Sequence, residues 1–240
     1  MKAMPLQPQA KRGFSVAVLE REKAAYKELL RDPSYDELYK WESLKNFHDR
    51  WDLGATDMHA MFDASFQNSE NDNLWANQYF FPKSVMLRFI GHDPERVRSM
   101  FRELFDESLP VDKRIDHFVF HCDELLKQVN AADPSVKSHY HDGQRMVTLY
   151  LAFKYPEKYA IYKYTEFKTF MELVQASDIP RTGEYERFFK VVRTIYSILE
   201  KDTELMELHR SLLRPIDYQG KTLMIAQDFI FRTARRYMGS

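Results

Sequence analysis

The chain has 240 residues, a formal net charge of -1, 44% hydrophobic and 30% charged residues, and one cysteine, Cys122. A single thiol excludes an internal disulfide or a multi-cysteine zinc site, and the balanced charge argues against a strong non-specific grip on nucleic acid while leaving room for a local basic patch. No stretch reaches the ~20 apolar residues of a membrane span, and the apolar piece Phe14 to Leu19 is too short for a signal peptide, so the expectation is a cytoplasmic protein.

In chain order, residues 1–13 are polar and unpatterned and read as a flexible leader. Leu19, Tyr26, Leu29 and Leu30 mark a first, highly charged helix ending at Arg31. Ser34 with Glu37 three positions on predicts a capping box, followed by an amphipathic helix with Tyr35, Leu38, Trp41, Leu44, His48 and Trp51 on its apolar face. Thr56 and Asp57 offer a cap for a short helix carrying Met58, Met61, Phe62 and Phe66, and the polar run Asn68 to Asn73 reads as a loop. Pro82 suits the first position of a helix with Val85, Met86, Phe89 and Ile90, and Asp93-Pro94 opens the next, whose stripe is Val97, Met100, Phe101, Leu104 and Phe105. Asp112 starts a long helix with Ile115, Phe118, Val119, Cys122, Leu125, Leu126 and Val129 turned inward.

Ala131 to Asp142 then reads as a polar loop, and Arg145 to Lys154 as a helix broken by Tyr155-Pro156. Tyr159 to Tyr164 alternates enough to predict a short strand or an extended connector. Helices over Thr165 to Val174, Glu184 to Glu200, Thr203 to Leu213 and Thr222 to Met238 complete the chain. The expected fold is mainly α: one helical domain over 14–238, of about ten helices with at most a minor β element. The last helix, with Arg232, Arg235 and Arg236, stops abruptly at Met238-Gly-Ser, which reads as the cut end of a longer protein.

Glycine excludes a whole class of chemistry. The seven glycines are never closer than 19 positions, so neither a G-x-G-x-x-G nor a G-x-x-x-x-G-K phosphate loop exists. No G-x-S-x-G occurs, and Cys122 keeps the company of Phe118, Val119 and Leu126, which reads as an inert buried thiol. His117 and His121 stand at i and i+4 on one helix, with His139 and His141 in the next loop. That spacing can hold zinc, but position 118 lacks the glutamate of H-E-x-x-H, and the preferred reading is helix-face histidines plus a polar loop, with no metal and no cofactor.

The most distinctive segment is Tyr140 to Phe170, with nine aromatic residues among Arg145, Lys154, Lys158, Lys163 and Lys168. Basic and aromatic side chains together suit phosphate binding and base stacking. The candidate DNA-binding residues are therefore Arg145, Lys158, Tyr159, Tyr162, Lys163, Tyr164 and Lys168; the competing reading is aromatic core with lysines reaching outward.

A set of spaced landmarks carries a family resemblance: Tyr39-Lys-Trp-Glu, Asn46-Phe, Trp51-Asp52, Asn73-Leu-Trp, Phe81-Pro-Lys, Asp93-Pro-Glu-Arg-Val-Arg with Met100-Phe, Leu104-Phe-Asp-Glu, Arg114-Ile, and the run from Tyr150 to Tyr159. Over most of 35–170 the chain resembles the region N-terminal to the AAA+ motor in McrB-type GTP-dependent restriction proteins. The resemblance implies a non-catalytic recognition piece of a phage-defence restriction system that binds DNA, often DNA with a modified base. In such systems a GTPase motor assembles into a ring and a separate McrC-type nuclease subunit cuts. It identifies neither the modification nor the contacting residues, and with the motor missing the piece is expected to be a monomer. The alternative function is a helical protein-interaction or phage-sensing module of the same machinery.

Overall fold

Apolar residues recurring every three or four positions make helices that must bury one face, and here they bury it against each other. The computed structural model describes residues 13–67, 74, 79–132, 134–143 and 145–239; the leader and the Asn68–Asn73 loop lie almost wholly outside them. Among the described residues there are eleven helices: α1 (Val16–Arg31), α2 (Tyr39–Arg50), α3 (Met58–Ser65), α4 (Pro82–His92), α5 (Pro94–Leu104), α6 (Val111–Ala132), α7 (Arg145–Lys154), α8 (Tyr164–Leu173), α9 (Tyr185–Leu199), α10 (Thr203–Leu212) and α11 (Met224–Met238). No strand occurs among the described residues, so the fold is all-helical.

Several helix starts follow the expected chemistry. Asp57, Asp93 and Asp202 each accept a hydrogen bond from the backbone N–H three residues on, at 2.9, 2.9 and 3.1 Å, and Pro82 and Pro94 occupy first positions. The capping box at Ser34 does not form. Ser34 bonds back to Asp32, the helix begins only at Tyr39, and Glu37 is drawn inward to Lys40 and Arg232, so a buried ion pair outcompetes a local cap.

One hydrophobic core runs from Leu19 in α1 to Ala234 in α11. The connection between α6 and α7 is a loop, as expected, but it belongs to the core: Val136, His139 and His141 are buried, so the histidines are not part of an open polar loop. The segment Tyr159–Lys163 is a connector, not a strand. Its backbone is satisfied by side chains, Ile161 N–H donating to Gln227 Oε1 at 3.0 Å and Tyr162 N–H to the Thr148 hydroxyl at 2.9 Å, which leaves no ladder to build.

The last helix is the central one. α11 packs on α1, α8 and α9, with Phe229 edge-on to Tyr26 and Phe170 at 5.4 and 5.5 Å. It also carries the fully buried Asp228, which accepts from Lys40 Nζ at 2.5 Å and from the Tyr26 and Tyr35 hydroxyls at 2.7 and 3.0 Å. Burial alone would raise the Asp228 pKa, but the Lys40 charge outweighs it and holds the carboxyl below its ordinary range. Through Lys40, Glu37 and Arg232 this network ties α2 to α11.

Candidate nucleic-acid interface

The seven residues singled out from the sequence separate into three places. Tyr159 is in the core, edge-on to Phe189 at 4.9 Å, with its hydroxyl held by Arg114 and Glu107 at 2.6 Å each. Lys158 is paired with the same Glu107 at 2.8 Å. Lys168 is exposed on α8, 3.6 Å from Glu172. Tyr159 therefore presents no open ring face to a base, and of the nine aromatics in this segment six are buried, so the core reading holds for most of them.

Arg145, Tyr162, Lys163 and Tyr164 do come together. They line an open hollow of about 430 Å³, completed by Gly143, Thr165, Glu166, Thr182 and Arg235. Tyr162 is buried, packed edge-on to Tyr185 and Phe188, and supplies the floor; its hydroxyl accepts from Gly183 N–H at 3.2 Å. Gly183 has φ +88°, a conformation that side chains resist, and it turns Thr182 toward the hollow before α9 starts.

The electrostatics of the hollow are unbalanced. Lys163 Nζ sits 3.8 Å above the centre of the Phe231 ring, the Arg235 guanidinium is 4.1 Å from the same centre, and Lys40 is 5.5 Å away, so three cations share one aromatic ring. Arg145 lies over Phe80 at 5.2 Å and donates to the Leu74 carbonyl at 2.7 Å. Glu166 is the lone carboxylate in the lining, 4.0 Å from Arg235, and no carboxylate among the described residues reaches ion-pair distance of Lys163. Burial first, and then the charges of Arg145 and Lys40, push the Lys163 pKa down to about 7.

Beside Arg145 stands an aromatic ridge that sequence pattern did not reveal. Tyr79 and Phe81 are 76% and 44% exposed, and Phe80 and Phe81 approach the Tyr140 ring at 5.8 and 6.4 Å. Tyr140 has φ +61°, a left-handed turn between the two buried histidines, and its half-buried ring packs against the edge of the core. Arg235 was also missed as a site residue, although Phe231 and Arg235 at i and i+4 on one helix face was a readable signal.

The histidines divide in a way the sequence did not suggest. His117 and His121 both face Glu103 across the α5–α6 packing, at 2.6 and 3.8 Å. Cys122, His139 and His141 instead form a buried group whose ligand atoms lie within 4.8 Å of one another, close enough to hold a metal. Their ring nitrogens are already used. His139 bonds Asp123 at 3.0 Å and accepts from His141 N–H at 3.0 Å; His141 donates Nδ1–H to the His139 carbonyl and accepts from the Tyr150 hydroxyl at 3.0 Å. A metal would have to displace two of these bonds, so the group reads as a satisfied polar knot. Burial pushes the Cys122 thiol pKa well up, consistent with an inert thiol.

No family model, no curated protein and no solved structure matches this chain. No helix among the described residues is long and apolar enough to cross a membrane.

Proposed function

We propose that the chain is a DNA-recognition module, the modified-base-reading N-terminal region of a McrB-like restriction system, and that it grips the DNA backbone through the Arg145–Lys163–Arg235 hollow. The observation that carries this reading is the meeting of three cationic side chains in one open hollow lined by a single carboxylate. Such a site sets three cations against one carboxylate, and phosphate is the anion that guanidinium and ammonium groups hold best. The exposed rings of Tyr79 and Phe81, next to Arg145 through Phe80, supply stacking faces for an unpaired or extruded base. The residue-level resemblance noted in the sequence supports the same reading. In the full protein a GTPase motor and an McrC-type nuclease would act in the cytoplasm on the DNA this piece has selected; the piece itself does no catalysis.

The test is fluorescence anisotropy with unmodified, methylated, hydroxymethylated and glucosylated duplexes at two salt concentrations. The expected result is preference for one modified duplex and a steep salt dependence. Arg235→Ala and Lys163→Met should each flatten the log–log slope by about 0.9 for every phosphate the variant no longer neutralises. Absence of binding to every duplex at low salt refutes the reading. Salt-insensitive binding to a protein partner would establish the interaction-module alternative instead.

A further inference from the structure

We propose that His117, His121 and Glu103, where α6 packs against the last turn of α5, bind a divalent transition-metal ion of the zinc class. Two histidines at i and i+4 stand on one helix face with their Cβ atoms about 5–6 Å apart, close enough for both rings to turn toward one ion. The sequence lacks the H-E-x-x-H glutamate, since position 118 is Phe118 and buried, but the fold supplies a carboxylate from the neighbouring helix. Glu103 Oε1 is 2.6 Å from His117 Nδ1 and Glu103 Oε2 is 3.8 Å from His121 Nε2, so one carboxylate faces both rings. Two imidazoles and a carboxylate form a donor set that zinc takes with water in the fourth position.

The three side chains are open to an entering ion. That of His117 is 58% exposed, and those of His121 and Glu103 are 32% exposed each. His121 Nδ1 is sealed inside the protein, whereas Nε2 is not, so Nε2 is the nitrogen that meets both solvent and Glu103. At metal–ligand bonds of about 2.1 Å, two ligands of a tetrahedral ion stand about 3.4 Å apart, so the His117 contact has to open and the His121 contact to close, each by under about 1 Å. Beneath them the helix pair is held in place. Phe101 and Phe118 pack edge-on at 5.1 Å, and Arg114 donates to the Leu104 carbonyl at 2.7 Å. The backbone is thus fixed before an ion arrives, and only side-chain rotations remain to be made.

The surroundings favour this group over the buried one. The other charges that reach His121 are Arg96 and Glu124, of opposite sign, so Glu103 sets the charge of the site. Cys122, His139 and His141 have their ligand atoms closer together, but an ion there would have to reach fully buried atoms and break bonds that satisfy them. At the outer group it displaces one hydrogen bond at the surface, between His117 and Glu103, and replaces it with bonds to both partners.

Zinc and cobalt(II) are the probes, cobalt because its absorption spectrum reports the ligand atoms. Isothermal titration should give one zinc per chain with a dissociation constant of about 100 µM or below, and His117→Ala and Glu103→Gln should each weaken it by at least about tenfold. Both positions are at the surface, so without metal these variants should keep the parent's unfolding midpoint, while the rise in midpoint that zinc causes in the parent should be lost. Cobalt should give visible bands of nitrogen and oxygen coordination with no thiolate charge-transfer band. Lys163→Met should leave zinc affinity unchanged, which separates this site from the DNA-reading proposal. The proposal is overturned if zinc binds more weakly than about 100 µM, if either variant binds it as tightly as the parent, or if cobalt gives a thiolate band, which would put the ion on Cys122.

Discussion

Lys163→Met is the sharpest test of whether the cationic hollow exists for a ligand rather than for the fold. In the folded chain the Lys163 pKa falls from the ordinary 10.5 to about 7, with burial the largest cause. Between those two values the unfolded chain binds one more proton at this position than the folded chain does. Stability therefore rises with pH across the window from about 7 to 10.5, and below it the burial of the charge is a constant loss. At pH 7 a shift of that size corresponds to roughly 4 kcal/mol, at ~1.4 kcal/mol per unit. The Phe231 ring at 3.8 Å returns about 1–2 kcal/mol through the cation–π interaction, so the net cost of the lysine is about 2–3 kcal/mol. Methionine keeps the reach and the packing on the ring but carries no charge. Lys163→Met should therefore raise the unfolding temperature at pH 7 by roughly 5–10 °C for a domain of this size, while weakening DNA binding. The gain should shrink as pH rises and fall to about 1 kcal/mol or less by pH 10, vanishing only above the ordinary lysine value of 10.5, where the lysine is neutral in both states. Calorimetry at pH 7, 8.5 and 10 beside the anisotropy assay reads both effects. A variant less stable than the parent at pH 7, or a gain that does not change with pH, would refute the reasoning.

Asp228→Asn should cost about 3–5 kcal/mol in urea unfolding, because it leaves Lys40 charged, buried and without its closest partner in the core. His141 and His209 titrate at about 3 and about 4 when folded against about 6.5 when unfolded, burial being the main cause in each. The unfolded chain thus takes up two extra protons between about pH 6.5 and 4, and unfolding free energy should fall by up to ~2.7 kcal/mol per pH unit there; His209→Phe should remove about half of that slope in a pH series of urea midpoints. Tyr150→Phe removes the hydroxyl that donates to His141 Nε2 and should cost about 1–3 kcal/mol, read by thermal unfolding. Cys122 should resist a thiol reagent in the native protein and react only in denaturant; reaction at the rate of a free thiol without unfolding would contradict its placement on the buried face of α6.

Helix positions were legible from the sequence wherever a local rule set them. The 3.6-residue period, the aspartates at 57, 93 and 202 and the prolines at 82 and 94 act within one or two turns of chain, so the chain carried those boundaries in itself. The buried thiol at Cys122 was legible for the same reason, since its helical neighbours are apolar. Ser34 and Glu37 satisfied a local rule too, yet Glu37 went to Lys40 and Arg232, and nothing near position 34 announces a partner about 195 residues away.

The candidate site shows the same division. Its ingredients, Arg145, Lys163 and two tyrosines, were visible as a basic and aromatic segment, but composition cannot say which rings face inward, and Tyr159 and Tyr162 were drawn into the core by α9. What makes the hollow cationic is α11, which brings Phe231 and Arg235 against Lys163 from almost seventy residues further along the chain. Trp41 and His209 are a further case, since each alone is an ordinary helix-face residue and only the packing of α2 against α10 brings their rings to 4.6 Å. Local periodicity specified the helices; long-range packing, driven by the burial of their apolar faces, decided which charged and aromatic side chains met and which rings were buried.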